Sequence, residues 1–146
     1  MIAYLDSSAL VKLYVEEPGR PAVRRLVAAV TAVSTSTVAY PEVRAALARR
    51  ARDGSLTEAG HIAVKRQLDL DWGHFVSMEP THVITRLAGD LSEQHALRGF
   101  DAVHLACAVT LREHLGPLGF ASWDLRLAVA ARAEGFAVTG PGVDRA

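Results

Sequence analysis

Near its start the chain reads Ile2-Ala3-Tyr4-Leu5-Asp6, a compact apolar run that is closed by an acid. An apolar run of this length, without alternating polar residues, is typical of a parallel strand that is buried on both faces. Because an acid ends the run, the strand carries a functional group to the carboxyl edge of its sheet. The rest of the fold follows from what surrounds such a strand.

Four further segments have a weaker strand pattern, and helical spacing fills the intervals between them. The strand-like segments are 32–36, 75–78, 119–122 and 136–138, and the helical stretches are 21–31, 40–52, one starting at 57, 81–97, 101–114 and 124–134. Strands that alternate with helices form βαβ units with a parallel sheet. The sequence therefore predicts an α/β fold, a single three-layer α/β/α domain with a central parallel sheet of about five strands.

Length and composition set the class of protein. The chain has 146 residues, half of them hydrophobic and 22% charged, which indicates one globular domain and argues against disorder. We expect the domain to span 1–139 and a C-terminal tail to span 140–146. With no membrane-length apolar run, no secretory signal and one cysteine, we expect a cytoplasmic protein without a disulfide. The zero net charge does not indicate a nucleic-acid binder.

Four acids fall where ligands bind in sheets of this kind. Asp6 closes the first strand, Asp124 follows the fourth, Glu42 starts the helix after the second, and Asp101 starts the buried helix. In open parallel sheets ligands bind outside the carboxyl ends of the strands. We therefore expect these four carboxylates to lie near the same edge of the sheet.

Each acid taken alone has a structural explanation, because Asp6, Asp101 and Asp124 are suitable helix N-caps and Glu42 suits a first helical turn. The four acids together predict a metal site. Carboxylates that converge on one cleft repel each other, and a divalent cation relieves the repulsion. All-oxygen ligands favour Mg²⁺ or Mn²⁺, which can polarise a phosphoryl oxygen and activate water. The chemistry predicted from these residues is hydrolysis of a phosphodiester.

Four motifs occur in order along the chain. They are YLDSSALVKLY at 4–14, YPEV at 40–43, FDAVHLACA at 100–108 and SWDLRL at 122–127. Together they closely resemble the PIN-domain family, specifically the VapC-type toxins of bacterial toxin–antitoxin pairs. The resemblance runs from Ile2 to Val138, nearly the whole chain.

The resemblance implies a function and a site. The acidic quartet of the family maps onto Asp6, Glu42, Asp101 and Asp124, and its two hydroxyl positions map onto Ser8 and Ser122. It implies a Mg²⁺-dependent endoribonuclease, with Mn²⁺ as a substitute, that hydrolyses RNA and is inhibited by a small cognate antitoxin. Such proteins are commonly homodimers.

Three alternative functions fit the sequence less well. A catalytically silent PIN module that binds RNA or a protein partner would share the fold, although the intact quartet argues against it. A haloacid-dehalogenase-type phosphatase needs a second Asp two residues after Asp6, where this chain has Ser8. A phospho-acceptor receiver domain needs paired acids after the first strand and a late lysine, and Lys12 and Lys65 are the only lysines.

Some residues near these motifs have a structural and a functional interpretation. Ser8 and Ser122 could orient a water or a phosphate, or they could cap the helices that follow them. His104 lies on the helix face of Asp101, but its apolar setting favours a satisfied core histidine. Trp123 could stack on a base or could pack against the protein. For Lys12, a solvated side chain is the default expectation.

Overall fold

The computed structural model describes residues 1–142, and these confirm the predicted α/β fold. They form five strands, seven α-helices and one 3-10 turn at Val11–Leu13. In chain order the elements are β1 (Ile2–Leu5), α1 (Ser7–Leu10), α2 (Arg20–Ala29), β2 (Ala32–Ser36), α3 (Ala39–Arg52), α4 (Glu58–Trp72), β3 (Val76–Met78), α5 (His82–His95), α6 (Gly99–Leu115), β4 (Leu118–Ala121), α7 (Leu125–Ala133) and β5 (Ala137–Thr139).

The five strands form one parallel sheet in the order β3-β2-β1-β4-β5. The apolar run that closes at Asp6 is the central strand, and Ala3, Tyr4 and Leu5 are fully buried in it. From β1 the chain builds the sheet outward to β2 and β3, then returns to the other side of β1 for β4. The strand order therefore reverses beside β1, which is where parallel sheets of this kind bind ligands.

Alternating side chains of β1 point into two separate cores, as the pleat of a strand requires. Tyr4 packs in a cluster with residues of α5, α6 and α7. Ala3 and Leu5 pack on the opposite face with residues of α1 to α4. Helices therefore cover both faces of the sheet, and the domain has the three predicted layers.

The helix predicted to lie in the middle of the domain does so. In α6 the buried residues include an unbroken run from His104 to Ala108, and the helix packs against α5 and α7. This burial explains why its sequence is apolar on nearly every side. No helix within residues 1–142 is long and apolar enough to cross a membrane.

Several boundaries differ from the predicted ones by one or two residues. β2 spans the predicted residues, whereas β4 begins and ends one residue early and β5 one residue late. The start of α6 is wrong in a way that matters, because the helix begins at Gly99 and the N-cap position is Arg98. Asp101 is therefore in the first helical turn and is not the cap. Of the expected tail, residues 143–146 lie outside the described residues.

Candidate active site

All four predicted acids lie at the carboxyl edge of the sheet. Asp6 follows β1 and caps α1, where its Oδ1 accepts a hydrogen bond from the backbone N–H of Ala9 at 2.9 Å. Asp124 follows β4 and caps α7, accepting from the N–H of Leu127 at 3.0 Å. Glu42 and Asp101 are in the first turns of α3 and α6. The capping role and a site role thus coincide at Asp6 and Asp124.

Asp6 is the most deeply buried of the four, with 3% of its surface exposed. Besides the backbone bond, its Oδ1 accepts from Ser8 Oγ at 2.7 Å and its Oδ2 from Ser122 Oγ at 2.6 Å. Burial raises the pKa of Asp6 above its usual value, while the nearby His104 and the two serine hydroxyls act in the opposite direction. The carboxylate is therefore rigidly held at the centre of the sheet edge.

Ser8 and Ser122 connect the ends of the two central strands instead of capping helices. Ser122 Oγ donates to Asp6 and accepts from the backbone N–H of Asp124 at 3.1 Å. Ser8 Oγ donates to Asp6 and accepts from the backbone N–H of Trp123 at 2.9 Å. Both hydroxyls thereby fix the position of Asp6 relative to the loop that carries Asp124.

Asp101 and Asp124 are brought together by Arg98. The guanidinium donates through Nε to Asp101 Oδ2 and through Nη2 to Asp124 Oδ2, both at 3.1 Å. Burial and the negative charge of Asp124 raise the pKa of Asp101, although the bond from Arg98 lowers it. Two carboxylates that repel each other therefore share one cationic group, whose own side chain is 79% exposed.

Glu42 is tied to a second, more buried group of residues. Its Oε1 accepts from Ser7 Oγ at 2.6 Å and from His104 Nε2 at 2.9 Å. Burial alone would raise the pKa of Glu42, but the hydrogen bonds from His104 and Ser7 bring it below its usual value. On the other side of the ring, His104 Nδ1 lies 2.8 Å from the hydroxyl of Tyr4. His104 is satisfied and 2% exposed, as predicted, yet it also contacts a member of the quartet.

An open cavity of about 480 Å³ lies over the Arg98 bridge and is lined by Arg98, Asp101, Trp123, Asp124, Leu125 and Arg126. The indole of Trp123 packs so closely against Gly19 that a Cβ on Gly19 would lie 2.5 Å from the ring. The cavity has the two bridged carboxylates and two arginines in its wall. It is therefore suited to a ligand that combines a cation with an anion.

The expectation that Lys12 is solvated is wrong. Lys12 is 5% exposed, its Nζ lies 2.8 Å from Glu17 Oε1, and it lies 5.1 Å from the centre of a Trp123 ring. Glu17 also pairs with Arg50 of α3. Lys12 is therefore part of the packing under Trp123 and is not available to a phosphate.

The donor set fits a hard divalent cation, although the side chains do not form a closed cage as they stand. Within residues 1–142, no three His, Cys, Asp or Glu side chains are grouped so that they could hold a metal ion. The four acids supply only oxygen, which Mg²⁺ and Mn²⁺ prefer. A positive group already lies between Asp101 and Asp124, and a metal that ligated both would take the place of Arg98.

Three contributors to the site were not among the predicted site residues: Arg98, Ser7 and Tyr4. Arg98 had a weak sequence signal, because it lies only three positions before Asp101, at the start of the same helix. Ser7 adjoins Asp6 in the first motif, but its partner Glu42 is distant in sequence. Tyr4 is in the apolar run of β1, where no local pattern indicates a polar partner.

Comparison with known proteins places this geometry in a family. The PIN domain model matches residues 3–115. Ribonuclease VapC49 of Mycobacterium tuberculosis (strain ATCC 25618 / H37Rv) is 40% identical over 143 residues, which cover 98% of both chains. Ribonuclease VapC46 of the same strain is 37% identical over 141 residues, 94% of this chain and 96% of the relative.

The likeness extends to solved structures. A chain in a toxin–antitoxin complex from Klebsiella pneumoniae superimposes with a TM-score of 0.65 at 17% identity, and the match covers 94% of this chain and 95% of that one. At this identity the likeness shows the fold alone. The curated relatives, in contrast, match at an identity and coverage that establish common descent over nearly the full length.

Proposed function

The chain belongs to the PIN-domain family and to its VapC-type members, and on this basis we propose that it is a metal-dependent endoribonuclease acting as the toxin of a toxin–antitoxin pair. The observation that carries the proposal is the placement of Asp6, Glu42, Asp101 and Asp124 at the point where the strand order of a parallel sheet reverses. The curated relatives are named ribonucleases. This supports RNA phosphodiesters as the substrate.

The proposed metal ligands are the four acids. Asp6 is fixed by three donors, and Asp124 is fixed by the N–H of Leu127, so these two carboxylates are preorganised at the ends of the central strands. Asp101 and Glu42 approach from the first turns of α6 and α3. Bound Mg²⁺ or Mn²⁺ would polarise a phosphoryl oxygen and lower the pKa of a water molecule.

The remaining residues of the cleft have roles that follow from their positions. Ser8 and Ser122 hold Asp6 in place and so fix the orientation of its carboxylate. Arg98, once displaced from Asp101 and Asp124, and Arg126 would be free to bind phosphates of the RNA backbone. No side-chain nucleophile is required, because water attacks.

The proposed partners are RNA, a small cognate antitoxin and a second copy of this chain in a homodimer. The name of the structural neighbour from Klebsiella pneumoniae, a toxin–antitoxin complex, supports the antitoxin. The contact of Arg98 with two carboxylates supports an arginine as the group that a partner would supply, because a guanidinium can donate to both of these carboxylates. A cytoplasmic location is proposed with the function, since RNA and a co-produced antitoxin are available there.

Cleavage by the purified chain tests the enzyme. We expect a structured RNA to be cut at discrete positions in millimolar Mg²⁺ or Mn²⁺, and cutting to stop in EDTA, because the four acids supply no nucleophile without the cation. Calcium serves as a matched control, since it binds oxygen ligands with looser geometry. Equal cleavage in EDTA would refute the metal mechanism.

Growth of a bacterial host tests the toxin. Expression of the chain alone should arrest growth, and co-expression with the product of a short open reading frame beside its gene should relieve the arrest. The same product should co-purify with the chain and inhibit RNA cleavage. If the chain cleaves RNA but is harmless, or if the neighbouring gene product does not bind it, the toxin assignment is rejected and the nuclease assignment is not.

A catalytically silent module is the second candidate, and the Arg98 bridge is the observation that favours it. An arginine that permanently neutralised Asp101 and Asp124 would exclude the metal and leave a surface for RNA or protein. The two candidates differ in a single property, which is turnover. Binding of RNA without metal-dependent cleavage would select the silent module.

A further inference from the structure

Glu42 is oriented by two donors that bind the same carboxylate oxygen. Ser7 Oγ and His104 Nε2 both lie within 2.9 Å of Oε1. In residues 1–142 no hydrogen bond goes to Oε2. The carboxyl group is therefore held by one oxygen, and the other is available to a ligand. The orientation of the Glu42 carboxylate therefore depends on the positions of Ser7 and His104.

The hydrogen-bond pattern determines which ring nitrogen of His104 carries the hydrogen. Nε2 faces the carboxylate oxygen of Glu42 and also lies 3.2 Å from Ser7 Oγ, whose own hydrogen is donated to Glu42. Both neighbours of Nε2 are acceptors, so Nε2 must donate. A neutral imidazole then has its lone pair on Nδ1, which needs a donor.

Tyr4 supplies that donor. Its hydroxyl lies 2.8 Å from His104 Nδ1, and its ring is fully buried in the central strand. The ring stacks on Phe120 with centroids 5.4 Å apart and meets the His104 ring edge-on at 5.8 Å. A phenol keeps its proton at neutral pH, so the hydrogen bonds run in one direction from Tyr4 through His104 to Glu42.

We infer that Tyr4 and His104 are positioning residues, which favour the imidazole tautomer that donates to Glu42 and thereby fix the orientation of the carboxylate oxygen with which Glu42 would ligate a cation. This inference rests on the proposed function, because it assigns Glu42 to the metal. Hydrogen bonds from outer residues fix the orientation of metal-ligating side chains, and their loss weakens metal binding. Tyr4, in the central strand, is thus linked through His104 to Glu42, the proposed metal ligand in α3.

A purely structural role for His104 predicts a different result, and two substitutions separate the roles. His104→Gln keeps an N–H donor near the position of Nε2, where it reaches Glu42. His104→Asn keeps an amide near the position of Nδ1, where it meets Tyr4 but not Glu42. Both variants replace a buried ring by a smaller amide, so a structural role would be damaged in both.

The experiment measures Mn²⁺ binding to metal-free protein by titration calorimetry and by the paramagnetic resonance signal of free Mn²⁺, with thermal unfolding as the control for folding. We expect His104→Asn to weaken Mn²⁺ binding by about tenfold or more and His104→Gln to stay within about threefold of the wild type. Equal losses in the two variants, no loss in either, or a larger loss in His104→Gln would overturn the inference.

Tyr4→Phe provides an independent variant that retains the packing of the ring. Without the hydroxyl, His104 Nδ1 loses the donor that stabilises its lone pair, so the tautomer that donates from Nε2 to Glu42 is less strongly favoured. We expect weaker Mn²⁺ binding in Tyr4→Phe, and wild-type binding in this variant would also overturn the inference. If the wild type neither binds Mn²⁺ nor cleaves RNA, the proposed function fails. If the wild type does both and the variants bind Mn²⁺ as tightly as the wild type, only the positioning role is rejected.

Discussion

Asp101→Asn is expected to keep the fold and to lower kcat/KM for RNA cleavage by more than about a hundredfold, since the loss of even an outer partner of a bound metal costs about 10–100-fold. The substitution preserves shape and removes one negative charge. Burial and the charge of Asp124 already raise the pKa of Asp101, so replacing the carboxylate removes a repulsive group. Thermal stability without metal should therefore be unchanged or higher, while the stabilisation by Mn²⁺ should be lost.

Glu113→Gln is the matched control for this prediction. Glu113 is on the same helix, α6, and is exposed far from the sheet edge, and its substitution removes the same charge. Cleavage and the response of the melting temperature to Mn²⁺ should both stay at the wild-type level. If Asp101→Asn cleaves as fast as Glu113→Gln, Asp101 does not belong to the reacting centre.

The sequence was sufficient to predict the position of the acids because the rule that governs them is topological. A parallel sheet collects the carboxyl ends of its strands at one edge, and Asp6 and Asp124 follow strands directly. The prediction therefore required only the order of strands and helices. Errors of one residue at the ends of β4 and β5 did not affect it, because those ends still reach the same edge.

The partners of the acids could not be predicted, because they depend on side-chain directions in three dimensions. Glu16 and Glu17 follow Lys12 closely in the sequence, but the burial of Lys12 also depends on Trp123, which comes from a distant segment of the chain. Ser7 meets Glu42 across 35 positions of sequence. Long-range pairs of this kind leave no periodic signal along the chain.

His104 illustrates a case in which the two interpretations were not exclusive. Its apolar surroundings correctly predicted a buried and satisfied histidine. The same burial limits its partners to Tyr4, Ser7 and Glu42, and one of these is a candidate ligand. A buried polar group needs hydrogen-bond partners, and here the partner is a group of the site itself.

Arg98→Ala is expected to tighten Mn²⁺ binding, because the guanidinium donates to the carboxylates of Asp101 and Asp124, which are two of the proposed metal ligands. In the wild type the cation must displace Arg98, and in the variant it need not. Since the side chain is 79% exposed, solvent screens both contacts, and we expect a gain of roughly three- to tenfold. RNA binding should weaken at the same time if the displaced arginine contacts phosphate.

Arg126→Ala distinguishes direct competition between Arg98 and the metal from the effect that any positive charge has on the electrostatic potential of the cleft. Arg126 lines the same cavity and carries the same charge, but it forms no ion pair with Asp101 or Asp124. Its removal should change Mn²⁺ affinity only through the electrostatic potential, an effect that falls as salt is raised. A gain for Arg98→Ala that exceeds the gain for Arg126→Ala identifies Arg98 as an internal competitor of the metal. Equal gains would mean that its two hydrogen bonds do not oppose the metal, and that only the charge of the cleft matters.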